Sequence, residues 1–211
     1  MDKNKKQLQS EQTKNRIAEA ARSLFAQKGY KATSIEDIVE ATASSKGNIY
    51  YHFKSKEGLF LHLMNEWDQE WEMKWGEMEP NYTTSIEKLY GIAEHLVLDD
   101  LNHPLTKAAD EFFNNEEKTS EVKERMNEML ERHLKFNRML LQQGIDNGEF
   151  KPQAVNSLAI VLESLIIGLG HMSGKQKGNM KESLELYRFA FSVLLHGIAK
   201  SEQTISSLQP E

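Results

Sequence analysis

Residues 44–53 read SSKGNIYYHF, a run whose polar groups can hydrogen-bond to base edges and phosphates. On a helix at roughly 100° per residue, Ile49 and Phe53 share one face, and Ser44, Gly47, Asn48 and Tyr51 project from the opposite one. The apolar pair can pack while the polar row reads. Asn48 can pair with a base edge and Tyr51 can meet a thymine methyl or a phosphate; Gly47 has no side chain to hold the backbone off a duplex. Tyr50, His52 and Lys46 flank that surface. Ser44 or Ser45 would cap the helix, and its unpaired N-terminal amides, with Lys46, suit phosphate oxygens.

Other elements must hold this row in place. Ile17, Ala20, Ala21, Leu24 and Phe25 follow the i, i+3, i+4, i+7, i+8 spacing of an amphipathic helix that ends at Gly29. Thr33-Ser34-Ile35-Glu36 then reads as a capping box opening a short helix with Ile35, Ile38 and Val39 inward. A turn of about three residues leads to the 45–53 helix, so the pair matches a helix-turn-helix, whose second member enters the major groove. Ser55 caps a fourth helix, which puts Lys56 near a positive helix end where a phosphate would also sit.

The run GYKATSIEDIVEATASSKGNIYYHFKSKEGLF resembles the N-terminal domain of the TetR (tetracycline repressor) family of bacterial transcription factors, over residues 12–62 without a gap. The segment KGNIYYHFKSKEGLFL is especially similar to the subgroup that represses multidrug, quaternary-ammonium efflux. The resemblance implies an all-α subunit. A three-helix DNA-binding head is joined by a long fourth helix to a larger helical domain that binds an inducer and dimerises. It places DNA contacts on Thr33, Ser34, Ser44, Ser45, Lys46, Gly47, Asn48, Tyr50, Tyr51, His52 and Lys56; Ile35 departs from the pattern.

Charge is divided accordingly. The formal total is −6, yet residues 1–60 carry 11 Lys/Arg against 7 Asp/Glu and the remainder 15 against 25. A basic head would release counterions from DNA, so binding should weaken steeply with salt. There is no cysteine, hence no disulfide framework and no thiolate metal site, which suits a reducing cytoplasm. The N-terminus lacks the apolar core of a signal peptide. The most apolar run, 158–169, is interrupted by Glu163 and Ser164 and falls short of the roughly 20 residues that cross a bilayer. No HExxH, GxSxG or phosphate-cradling glycine loop is present, so neither an enzyme nor a cofactor or metal protein is expected.

Beyond the head the pattern predicts helices over 56–79, stopped by Pro80, then 85–98, from near Pro104, 120–147, 153–172 and 181–199. The expected divisions are a tail at 1–11, the head at 12–58, the ligand-binding and dimerisation domain at 59–200 and a tail at 201–211. Leu158, Val161, Leu162, Leu165, Ile166, Leu169, Phe189, Phe191 and Leu194 make the last two helices apolar over most of their circumference. They could be a monomer's core; the resemblance implies a homodimer interface instead. A dimer would set two reading helices roughly 34 Å apart on a palindromic double-stranded operator.

Trp67, Trp71 and Trp75 recur every four residues on the fourth helix beside Glu66, Asp68, Glu70 and Glu72. Aromatic faces beside carboxylates can hold a small hydrophobic, cationic effector through stacking, cation–π attraction and charge neutralisation. The efflux-repressor resemblance implies that Trp71 contacts the ligand, with Trp67 and Asp68 nearby. The run DLNHPLTKAADEFF resembles the pocket of that subgroup, adding Asp100, His103, Thr106, Asp110 and Phe113. Glu163, alone in an apolar helix, is a candidate buried carboxylate in need of a partner such as the inducer's charge. The alternative is a DNA-binding dimer whose C-terminal domain only dimerises or recruits a protein.

Overall fold

The computed structural model describes residues 2–114, 118–175 and 179–198. All regular elements among them are helical: α1 (Asp2–Lys28), α2 (Ile35–Thr42), α3 (Lys46–Phe53), α4 (Lys56–Met78), α5 (Ser85–His95), α6 (Thr106–Phe113), α7 (Ser120–Asp146), α8 (Val155–Lys175) and α9 (Met180–Ile198). A 3₁₀ turn, Glu79–Asn81, follows α4 where Pro80 stops it, and a π turn, Leu96–Asp100, extends α5. Helix α1 reaches back to Asp2, through residues expected as a tail. Residues 2–11 hold no Gly or Pro, and Lys, Gln and Glu are good helix formers. The C-terminal tail expected at 201–211 lies outside the described residues.

Two compact units form, one from Met1–Trp71 with Pro104–Met126 and the other from Glu72–His103 with Asn127–Glu211. The first therefore takes in more than the expected 12–58 head, because α6 packs on α1 through an aromatic cluster. Phe112 lies 5.0 Å from Tyr30 and 4.9 Å from Phe60, and Phe25 stacks on Tyr30 at 5.6 Å. Phe25, Phe60 and Phe112 are fully buried, along with Ile17, Ile38, Ile49 and Leu59. At Gly29 the backbone turns with φ +85°, and the Glu111 carboxylate of α6 sits against its Cα while accepting the Lys31 N–H at 2.9 Å. That carboxylate ties α6 to the turn between α1 and α2.

The second unit is built on α5, α8 and α9, with α5 lying along α9. Thr84 caps α5 in a capping box with Glu87, and Ile86, Leu89, Ile92 and Ala93 form its buried face. Arg188 of α9 reaches Glu94 of α5. In the π turn, Asp99 lies 2.6 Å from the buried His95, whose imidazole pKa is pushed below its usual range by burial. Helix α8 runs on past the expected short apolar run. Val155–Ser173 is long and apolar enough to cross a membrane by length and composition alone, a test that the core helix of a soluble protein also passes.

Candidate functional site

Ser34, not Thr33, caps α2. Its Oγ accepts the Asp37 N–H at 3.0 Å, and the Asp37 carboxylate accepts the Ser34 N–H at 2.7 Å. Lys28 and Ser34 together hold the Asp37 carboxyl well below the usual carboxylate range. The box therefore lies one residue later than the expected one. Thr33 is only 1 % exposed, and its hydroxyl donates to the Gly29 carbonyl at 2.8 Å, which removes it from the surface that can meet DNA. Ala43 takes a left-handed conformation (φ 50°) to end α2, and Ser45 caps α3 by accepting the Asn48 N–H.

Helix α3 has the two faces expected of it. Ile49 and Phe53 are buried, whereas Tyr51 is 71 % and Tyr50 46 % exposed, with Ser45, Lys46, Gly47 and Asn48 also at the surface. His52 is half-buried and meets Tyr51 edge-on at 4.9 Å. Phe53 packs beside His62 of α4 at 5.2 Å. Arg22 of α1 pairs with Glu66 of α4 at 3.0 Å, so the reader's support is pinned from two sides. Lys46 pairs with Glu36 of α2; the bond lowers the Glu36 carboxyl pKa and raises that of the Lys46 ammonium.

Besides Thr33, two more of the expected DNA contacts are engaged inside the protein. Ser44 is buried, and its hydroxyl accepts from Arg16 at 3.3 Å. Lys56 donates to the carbonyls of Tyr30 (2.8 Å) and Thr33 (2.7 Å) and lies 4.2 Å over the Tyr30 ring, with burial lowering its pKa. It fastens the turn between α1 and α2 instead of projecting toward a phosphate. Both contacts are long-range in sequence, and no local pattern announces them.

Of the expected ligand residues, Trp67, Asp68 and Trp71 on α4 and Thr106 on α6 are half-buried, and Asp110 and Phe113 are exposed. All six belong to the first unit. Asp110 accepts from Asn114 at 2.8 Å, and Phe113 meets Phe112 edge-on at 5.3 Å. His103 belongs to the second unit, and the Asp100 side chain lies outside the described residues. Glu163, also in the second unit, is buried and finds its partners on α7: His133 Nδ1 at 3.0 Å and Asn137 Nδ2 at 2.8 Å. Trp75 is core, stacked on Tyr82 at 5.7 Å and edge-on to Phe136. Beside it an open cleft of about 950 Å³, lined by Phe136, Met139, Gln143, Asp146 and Val155, contains none of the expected ligand residues.

Sequence reasoning missed Arg16 and Glu111, which buttress the reading helix and the α1–α2 turn. Glu111 stands beside the apolar pair Phe112–Phe113, but only the folded chain shows what it faces.

Comparison with known proteins matches residues 17–63 to a model of bacterial regulatory proteins of the tetR family. Residues 67–200 match a model of the QacR-like protein C-terminal region. The HTH-type transcriptional regulator QacR of Staphylococcus aureus is 31% identical over 187 residues, which is 89% of this chain and 98% of that protein. Among solved structures, a transcriptional regulator from Saccharomonospora viridis in complex with choline superposes with a TM-score of 0.72 at 22% identity, covering 90% of this chain and 100% of that one. FadR from Bacillus subtilis in complex with stearoyl-CoA gives 0.70 at 23% identity, covering 86% and 97%. The chain belongs to the TetR family of bacterial regulatory proteins and is a DNA-binding regulator of transcription, not an enzyme.

Proposed function

We propose that the protein is a cytoplasmic repressor that binds a palindromic operator as a homodimer and is released by a small hydrophobic, cationic effector. The observation that carries the DNA half is the exposed row Lys46, Gly47, Asn48, Tyr50 and Tyr51 standing over a buried Ile49–Phe53 anchor. Base contacts from Asn48 and Tyr51 would select sequence, while the Ser45-capped helix end and Lys46 would meet phosphates.

The effector half is supported by the grouping of Trp67, Asp68 and Trp71 with Thr106, Asp110 and Phe113 in the unit that also holds the reading helix. Helix α6 carries three of these and, through Glu111 and Phe112, grips the α1–α2 turn. A ligand that seats better when α6 is displaced would pull on that turn, and the required bias is finite: about 5.5 kcal/mol of differential affinity reverses a 99:1 population. The test is to select a duplex from a random pool and titrate it with quaternary ammonium cations, for wild type and Trp71→Ala. Release of wild type with at least a tenfold weaker response in the variant is expected; an unchanged response removes Trp71 from the pocket. If no cation raises the melting temperature, the effector reading falls and a partner-recruiting body takes its place.

The dimer reading is supported by apolar stripes left outside the second unit. Ile160, Val161, Ile167 and Met172 of α8 and Leu186, Phe189 and Val193 of α9 are exposed, and Gly168 and Gly197 stand on the same stripes with open space before them. Leu162, Leu169 and Phe191 of the expected interface set are instead buried within the subunit. A second copy would cover the stripes, since isolated soluble chains rarely leave such patches bare. Phe189→Asp, at 67 % exposure, is expected to halve the mass in sedimentation and to cost operator affinity at least a hundredfold; a dimer of unchanged stability would place the interface elsewhere.

A further inference from the structure

The helical extension of α1 carries a stripe whose chemistry the reading helix does not use. At roughly 100° per residue, Lys5, Gln9, Gln12 and Arg16 fall within about 60° of one another at i, i+4, i+7 and i+11. Glu11 is the only acid between Lys5 and Arg16, and it lies about 130° off that stripe. Lys5, Gln9, Gln12 and Arg16 are all exposed, and the family match to the head begins only at residue 17. The stripe has an anchor: Arg16 donates to Ser44, immediately before the Ser45 cap of α3, so it starts beside the phosphate-suited end of the reading helix. From Arg16 back to Lys5 the helix rises roughly 16 Å, comparable to about five base pairs.

We infer that the N-terminal turns of α1 form an accessory rail for the phosphate backbone of duplex DNA flanking the operator half-site, with Lys5 and Arg16 as cationic contacts and Gln9 and Gln12 as hydrogen-bond donors between them. The inference rests on the operator-binding reading above. Such contacts carry no base preference; they add affinity and salt dependence to a site that α3 selects. One phosphate neutralised by Lys5 in each of two protomers contributes about 1.8 to the slope of log affinity against log salt, or roughly 30-fold in affinity at 0.15 M salt.

The test is fluorescence anisotropy of the full chain and of Lys5→Gln on a selected operator, with flanks present or trimmed, over a series of salt concentrations. Gln keeps the helix, and unchanged circular dichroism verifies this. The expected result is a salt slope shallower by about 1.8 and affinity lower by about 30-fold for Lys5→Gln, with base preference intact. Trimming the flanks should reproduce that loss in wild type and add little in the variant. A wild type that selects its operator alongside a Lys5→Gln chain of identical slope overturns the rail alone. A wild type that selects no duplex at low salt overturns the operator reading, and the rail with it.

Discussion

Gly58→Ala is expected to abolish operator binding by breaking the head, and Gly47→Ala to weaken binding with the head intact. A Cβ on Gly58 would stand 2.0 Å from the Phe53 carbonyl oxygen, with Arg125 Nη1 at 3.5 Å on another side. The overlap is with backbone, at the junction that sets α3 against α4, and no rotamer relieves it. Overpacking of this kind costs about 3 kcal/mol or more. At Gly47 the nearest atom to an added Cβ is the Ser45 hydroxyl, 3.6 Å away, so the protein accepts alanine and gains up to about 1 kcal/mol of helix propensity. Any loss at Gly47 therefore belongs to the DNA, whose backbone or base edge would meet the methyl group. A tenfold or greater loss of affinity, about 1.4 kcal/mol, is expected. Chemical denaturation beside anisotropy separates the two variants. A Gly47→Ala chain that binds like wild type would mean that α3 does not approach the duplex along that edge.

Phe112→Ala should be the most damaging substitution in α6. Its ring is 1 % exposed and touches Tyr30, Phe60 and Phe113, with Lys118 5.4 Å above it. Removing a fully buried phenyl ring costs about 3–5 kcal/mol, because the cavity closes only in part. The adjacent Phe113, 44 % exposed, should change stability by no more than about 0.5 kcal/mol when truncated. Urea titration of both variants checks the contrast. A Phe112→Ala chain within 1 kcal/mol of wild type would show that the cluster does not hold α6 to α1, and would remove the physical link proposed between effector and reading helix.

Much of the head is legible in the sequence because its signals are local. Ile17, Ala21 and Phe25 mark the buried stripe of α1, Ile49 and Phe53 mark the inner face of α3, and Ser45 sits where a cap must sit; all three patterns recur in the fold. The α2 cap shows the limit. The sequence pattern points to a box from Thr33 to Glu36, but Ser34 caps the helix with Asp37 while Thr33 is drawn inward to the Gly29 carbonyl. The tryptophan repeat is visible too, but its periodicity does not divide Trp75, which is core, from Trp67 and Trp71, which are half-buried.

Local pattern is enough to establish that the chain is helical, where its reading helix lies and which residues that helix shows, because helix periodicity, capping and turn geometry act within a few residues. The fate of the long-range polar groups emerges only in the packed fold. Packing turns Lys56 inward onto two carbonyls, gives Glu163 its partners on α7, sets Glu111 against the α1–α2 turn and joins Arg16 to Ser44. A buried or half-buried polar group must find a partner wherever the packed chain brings one, and with separations of 23 to 80 residues in these pairs no pattern of neighbours encodes which one it will be.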